Sequence, residues 1–190
     1  FIYSKDTNIG NFGNGDFTVD CWFKTVSYGA TRRLVTNWTS GGSPYAGGWY
    51  LGIDGGTDAI TFYWDYGSGL TQVYGATAIA DNNWHHVAVV RSNDDWYIFL
   101  DGVLDWCGYY TDTIENSTQY LCVGKIYNAN GSSFYGYISN VRISKGIARW
   151  TKDFTPPDQK YGSWNELVDD NRKKIAVYTE AGDQCYVCLL

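Results

Sequence analysis

His85 and His86 are the only histidines of the chain and stand side by side in WHHVAVV. Neighbouring side chains of an extended segment leave on opposite faces, so this pair cannot hold one metal ion between them. Neither has a sequence-proximal Ser or Cys in an order that makes a nucleophile and base, so both are expected to be structural. Carboxylate chemistry is equally thin. Glycoside hydrolysis takes two carboxylates roughly 5–9.5 Å apart. The three glutamates (Glu115, Glu166, Glu180) lie far apart, and Asp94-Asp95 and Asp169-Asp170 are adjacent pairs that a strand would point in opposite directions. No catalytic residue is assigned, and no enzyme is expected.

Five cysteines (Cys21, Cys107, Cys122, Cys185, Cys188) are an odd number and exclude a complete disulfide framework. Cys185 and Cys188 have CxxC spacing but no second pair and no neighbouring His, so buried free thiols are expected rather than zinc. The sequons at Asn37, Asn116 and Asn130 matter only in a eukaryotic secretory setting, and chance accounts for them.

Two patterns remain that can bind. Sugar rings need flat aromatic surfaces flanked by hydrogen-bonding groups. Trp38, Tyr45 and Trp49 around the Gly-rich loop at 41–48 have that composition, as do Tyr109 and Tyr110, while Trp64 and Tyr66 can line a sheet face. Asp54-Gly-Gly-Thr-Asp58 offers two carboxylates, a hydroxyl and carbonyls in one turn, a donor set for calcium. An ordinary Asp/Gly hairpin turn is the plainer reading of the same residues. No other cofactor is expected.

These residues need elements to hold them. Residues 84–104 form the best-patterned stretch, two apolar runs around Ser92-Asn93-Asp94-Asp95, and read as a β-hairpin with both faces covered. Residues 17–24 alternate, with Phe17, Val19, Cys21 and Phe23 on one face. Trp22, among polar neighbours on the other, either lines an outer groove or lies under a loop, the second being favoured. Further strands are expected at 1–4, 31–38, 49–54 paired with 59–66, 70–78, 119–125 and 134–144, with loop at 105–118 and a helical turn at 144–150. With 17 Tyr, 9 Trp and 22 Gly but 3 Pro, and no amphipathic helical stripe, the chain is all-β. Its 190 residues suit one domain.

A net charge of −6 with scattered basic residues excludes nucleic acid as a partner, and no apolar run reaches the length of a membrane-spanning helix, so no membrane insertion is expected. The chain opens on Phe1 and holds no Met, so an excerpt or processed form is expected.

In order along the chain, DFTVDCWFK (16–24), WHHVAVVRSNDDWYIFLDGVL (84–104) and FYGYISNVRISKGIARWTKDFTPP (134–157) resemble laminin-G-like or concanavalin A-like lectin/glucanase jelly rolls, above all those of bacteriophage tail and virion proteins. The resemblance covers about residues 1–157. Residues 158–190 read as a C-terminal extension whose hairpin docks back on the sandwich near the N-terminal strand. The resemblance implies a two-sheet antiparallel β-sandwich with ligands, where there are any, on the concave face or rim loops, and relatives often place calcium at a rim loop. Hydrolases of this fold carry Glu, Asp and Glu at alternate positions of one strand, which this sequence lacks. The expected function is a non-enzymatic structural or adhesion module of a virion (tail, fibre or head decoration), binding host glycan or neighbouring virion subunits. Homo-oligomers are compatible with that role. An extracellular lectin-like adhesion domain and a glycoside hydrolase are the alternatives.

Overall fold

The computed structural model describes residues 2–38, 47–127, 133–157, 175–180 and 184–189. These hold strands β1 (Ile2–Ser4), β2 (Phe17–Val26), β3 (Arg32–Thr36), β4 (Trp49–Ile53), β5 (Ala59–Asp65), β6 (Leu70–Ala78), β7 (Asp81–Ser92), β8 (Asp95–Leu100), β9 (Val103–Tyr109), β10 (Leu121–Val123), β11 (Gly136–Lys145), β12 (Ile175–Glu180) and β13 (Gln184–Leu189), with no helix among the described residues. They form two antiparallel sheets, a six-stranded one ordered β1-β10-β3-β4-β5-β6 and a seven-stranded one ordered β12-β13-β11-β2-β7-β8-β9.

Alternation along the strands decides which side chains meet between the sheets. Phe17, Val19, Cys21 and Phe23 of β2, Val87 and Val89 of β7 and Trp96 and Ile98 of β8 share one core with Trp49, Leu51 and Ile53 of β4 and Ile60, Phe62 and Trp64 of β5. Trp64 stacks on Trp96 across the sandwich at 4.4 Å between ring centroids. Burying such aromatic pairs removes large apolar areas from water and is the dominant cohesive term.

The other parity of the seven-stranded sheet is also covered. Residues 146–157 cross its outer face as an extended strap instead of the expected helical turn. Local side-chain bonds explain the difference: Thr18 Oγ1 donates to the Ile147 carbonyl (2.9 Å) and accepts from the Arg149 N–H (3.0 Å), which uses backbone groups a helix would need. Farther along, Phe154 N–H donates to the Gly102 carbonyl (2.8 Å) and Trp22 Nε1 to the Pro157 carbonyl (3.2 Å), so Trp22 is indeed covered. Gly102 has φ +80°, and a Cβ there would collide with the Phe154 carbonyl, so a larger residue would lift the strap.

Beneath the strap lies a buried ionic cluster. Asp20 accepts from Arg142 Nε (2.9 Å) and Nη2 (3.1 Å), and His86 Nε2 stands 3.3 Å from Asp20 Oδ1. Burial raises the Asp20 pKa, but the His86 bond and the Arg142 charge outweigh it and hold the carboxyl below 3.8. A register shift between Ser139 and Arg142 in β11 is what turns Arg142 toward Asp20, its cross-strand partner. Trp150, stacked on Phe154 at 3.9 Å, lies 5.2 Å from the Arg142 guanidinium and lids the cluster.

One further expectation changes at 105–109: these residues belong to strand β9 rather than loop, pairing with β8, because the half-buried Trp106 anchors them to the core. In the C-terminal extension β12 and β13 pair as a hairpin that docks on the sandwich through β11, in the seven-stranded sheet, whereas the N-terminal strand β1 lies at the edge of the other sheet.

Candidate functional site

The outer face of the six-stranded sheet is built by the second parity of its strands, with Thr36, Thr61 and Cys122 buried in it and Tyr3 and Tyr74 exposed. Cross-strand partners share a face, and one row runs the width of this sheet: Tyr3 on β1, Cys122 on β10, Thr36 on β3, Tyr50 on β4, Tyr63 on β5 and Gln72 on β6. A second row, one pleat along, contains Arg33, Gly52, Thr61 and Tyr74.

At the centre the Tyr50 and Tyr63 rings stack at 4.9 Å with 12° between planes. Trp38 meets Tyr63 edge-on at 5.4 Å. The Arg33 guanidinium lies 4.5 Å from the Tyr50 ring centroid and 6.0 Å from that of Trp38, within reach of cation–π attraction. Gln72 Nε2 donates to the Tyr50 hydroxyl (3.2 Å) and the Thr61 hydroxyl (3.0 Å), fixing both. Tyr50 is 5% exposed, and burial pushes its pKa up to about 12, so the phenol stays a neutral donor. Tyr63, Trp38 and Gln72 are half-buried and Tyr74 is exposed, so a rigid aromatic floor carries an accessible rim. Asp65, at the end of this face, accepts from the Gly47 N–H (3.0 Å) and the Gly67 N–H (2.7 Å), using both its oxygens. At the far side of the face Tyr3, Tyr120 and Tyr127 form a second aromatic cluster, with centroids 4.7–5.5 Å apart.

Of the residues proposed from sequence, the structure brings Trp38 into this face. Trp49 and Trp64 are 0% exposed and point into the core, which corrects their assignment: an indole sealed between sheets offers no ring to a sugar. Tyr66 lies half-buried in the β5–β6 turn with its ring over Gly69. Tyr109 is 68% exposed on β9 of the other sheet, and Tyr110 packs edge-on against Trp64 and Trp96. Neither belongs to the same face as Trp38. Tyr45 lies outside the described residues.

The Asp54–Asp58 turn does not fit a calcium ion. Asp54 Oδ2 already accepts from Gly56 N–H (3.0 Å), Thr57 N–H (2.9 Å) and Thr57 Oγ1 (3.0 Å), and Asp58 Oδ1 holds the Arg32 guanidinium at 3.0 Å. A cation beside Arg32 would meet like charge. No three His, Cys, Asp or Glu side chains converge on a metal position among the described residues.

His85 and His86 do leave on opposite faces. His85 bridges Asp101 Oδ2 (2.7 Å) and Asp81 Oδ1 (3.1 Å), while His86 belongs to the cluster under the strap. Burial lowers the His85 pKa, but the bonds to Asp101 and Asp81 outweigh it and raise it overall. Of the thiols, Cys21 and Cys122 are buried as expected, whereas Cys107, on the edge strand β9, is exposed. Side chains at Cys185 and Cys188, and Asn130, fall outside those described. Asn37 is buried, with Oδ1 accepting from the Trp49 N–H (2.9 Å), and is a structural residue.

Arg33, Tyr50, Tyr63 and Gln72 were not singled out by sequence reasoning. The signal that finds them is parity. Thr61, Tyr63 and Asp65 are the polar set of β5 and Ile60, Phe62 and Trp64 the apolar one, so the phenol-bearing face is the one turned away from the core between the sheets.

A family model described as the concanavalin A-like lectin/glucanases superfamily, of laminin G type, matches residues 3–151. Among solved structures, the CBM40 of the Ruminococcus gnavus IT-sialidase bound to α2,3 sialyllactose is similar with a TM-score of 0.60 and 14% identity, over 73% of this chain and 80% of that one. A putative carbohydrate binding protein from Bacteroides ovatus gives 0.60 at 15% identity, over 92% of this chain and 52% of that one. Domains LG4-5 of the mouse laminin α1 chain give 0.56 at 14% identity, over 80% and 42%. At such identities the likeness is one of fold. No curated protein matches the sequence.

Proposed function

The chain belongs to the concanavalin A-like lectin/glucanase superfamily, and on that premise we propose that it is a non-catalytic carbohydrate-binding module whose site is the outer face of the six-stranded sheet. One observation carries this reading: Tyr50, Tyr63 and Trp38 form a braced aromatic surface, partly accessible, with Gln72, Tyr74 and Arg33 around it. Sugar rings stack their apolar faces on such surfaces while their hydroxyls take the flanking polar groups. The names of two structural neighbours, a sialidase CBM40 and a putative carbohydrate binding protein, agree with it.

The non-catalytic part of the proposal rests on the carboxylates. Asp65, at the end of this face, is fully buried and spends both oxygens on backbone N–H groups, so neither oxygen is presented to a bound sugar as acid or nucleophile. The setting belongs to the same proposal. In it the module sits on a virion, facing host-surface glycan, with neighbouring subunits as its other contacts, a setting supported by the sequence resemblance to phage tail and virion proteins. Several copies on one particle would add avidity to individually weak sugar sites.

A glycan array probed with the whole chain, paired with an assay of reducing sugar released from the glycans that bind, tests the proposal. Binding without release is expected. An empty array would leave only a structural role, and release would make the chain a glycosidase.

A further inference from the structure

Arg33 differs from the other arginines packed into the sandwich. Arg32 pairs with Asp58 at 3.0 Å, Arg91 with Asp94 at 3.3 Å and Arg142 with Asp20 at 2.9 Å. Among the described residues no carboxylate lies within ion-pair distance of Arg33. Its one hydrogen bond among the described residues, from Nη1 to the Thr31 carbonyl, is long at 3.4 Å; its Nε is buried with no partner, as is that of Arg32, so the missing carboxylate is what sets Arg33 apart. Desolvation of a guanidinium is costly, and contact with Tyr50 and Trp38 offsets only part of that cost. The group is nonetheless held in place, between a tyrosine ring and the rim of the proposed binding face. An arginine fixed on an aromatic floor with no carboxylate on its fork is the arrangement that receives a planar anion, two N–H groups matching two carboxylate oxygens.

Charge argues the same way. With a net charge of −6 the chain as a whole repels acidic ligands. A cation with no carboxylate partner on such a molecule, on a sheet face that no described segment straps over, marks where a negative group is to be taken.

Resting on the reading of this face as a glycan site, we propose that its ligand bears a carboxylate, a sialic or uronic acid, with the acid group on Arg33 and an adjoining sugar ring over Tyr63 and Trp38. Gln72 and the Tyr50 hydroxyl stand beside that ring as hydrogen-bonding partners.

Calorimetric titration of the whole chain with four probes tests this: α2,3-sialyllactose against lactose, and trigalacturonate against its methyl ester. At least one acid is expected to bind about ten-fold or more tightly than its uncharged counterpart, the range of a charge-assisted pair. In Arg33→Gln the acid should lose far more affinity than its uncharged counterpart, so that the preference collapses towards one, and Arg33→Lys should keep part of it. A melting curve for each variant, and the acid-to-ester comparison on the unaltered chain, keep the test independent of folding. Equal affinity for acid and uncharged forms, an unchanged preference in Arg33→Gln, or no binding of either acid overturns the proposal. Neutral glycans retained on the array would in those cases leave the parent reading standing.

Discussion

The two outer faces of this sandwich are made by the same alternation and treated in opposite ways. On the seven-stranded sheet the outward residues are Asp20, His86 and Arg142, paired with one another, buried and roofed by residues 146–157. On the six-stranded sheet the outward residues are Arg33, Tyr50, Tyr63 and Gln72, stacked and braced but left accessible at the rim, with the arginine unpaired. Charges paired with one another under a lid fix one structure and offer nothing to a ligand. Incompletely satisfied groups on a rigid floor are what a ligand can complete. The difference separates scaffold from site in a chain whose histidines first draw the eye to the scaffold.

The largest test of that separation is Asp20→Ala. Removing the carboxylate leaves Arg142 and His86 buried without their shared partner, so a loss of about 3–5 kcal/mol is expected in denaturant unfolding. Glycan affinity of the remaining folded protein should not change; a parallel loss of affinity would show that the faces are coupled. Because the Asp20 pKa lies below 3.8 when folded, its contribution is complete above that value and is lost as the pH falls through the folded pKa. Tyr63→Ala is the reverse case. It should cost about 1 kcal/mol of stability through the lost stack, yet weaken glycan binding roughly ten-fold.

How much of this was legible in the sequence follows from the same contrast. The hairpin at 84–104 appears as β7 and β8 with Asn93 at φ 56° in its turn, and Leu70–Ala78 matches the expected strand end to end, because turn residues and continuous apolar runs are local signals. The strap was not legible: its course is set by Thr18, more than a hundred residues earlier. The site was partly legible. Trp38 lies on the proposed face, but choosing the most aromatic residues also selected Trp49 and Trp64, which such a core buries first. Composition points to a sugar-binding chemistry, and parity with register points to the face.

Smaller effects sharpen the scaffold side. The folded pKa of His85 is raised above 6.5 by Asp101 and Asp81, so its stabilisation is full below 6.5 and fades as the pH rises through the folded value. Melting temperature should therefore fall by a few degrees at most between about pH 6 and 8, and His85→Gln should flatten that slope. The smallest expected effect is none: a chelator should leave the melting temperature unchanged, because Asp54 and Asp58 already hold their own turn and Arg32. A drop would reveal a bound cation that stabilises the native state.

The most direct test of the central claim is an amide chemical-shift map of the whole chain, titrated with the tightest glycan from the array. The account predicts perturbations clustered at Arg33, Trp38, Tyr50, Tyr63 and Gln72. Perturbations confined to the strap side, or to the exposed pair Trp84 and Tyr137 on the seven-stranded sheet, would contradict it.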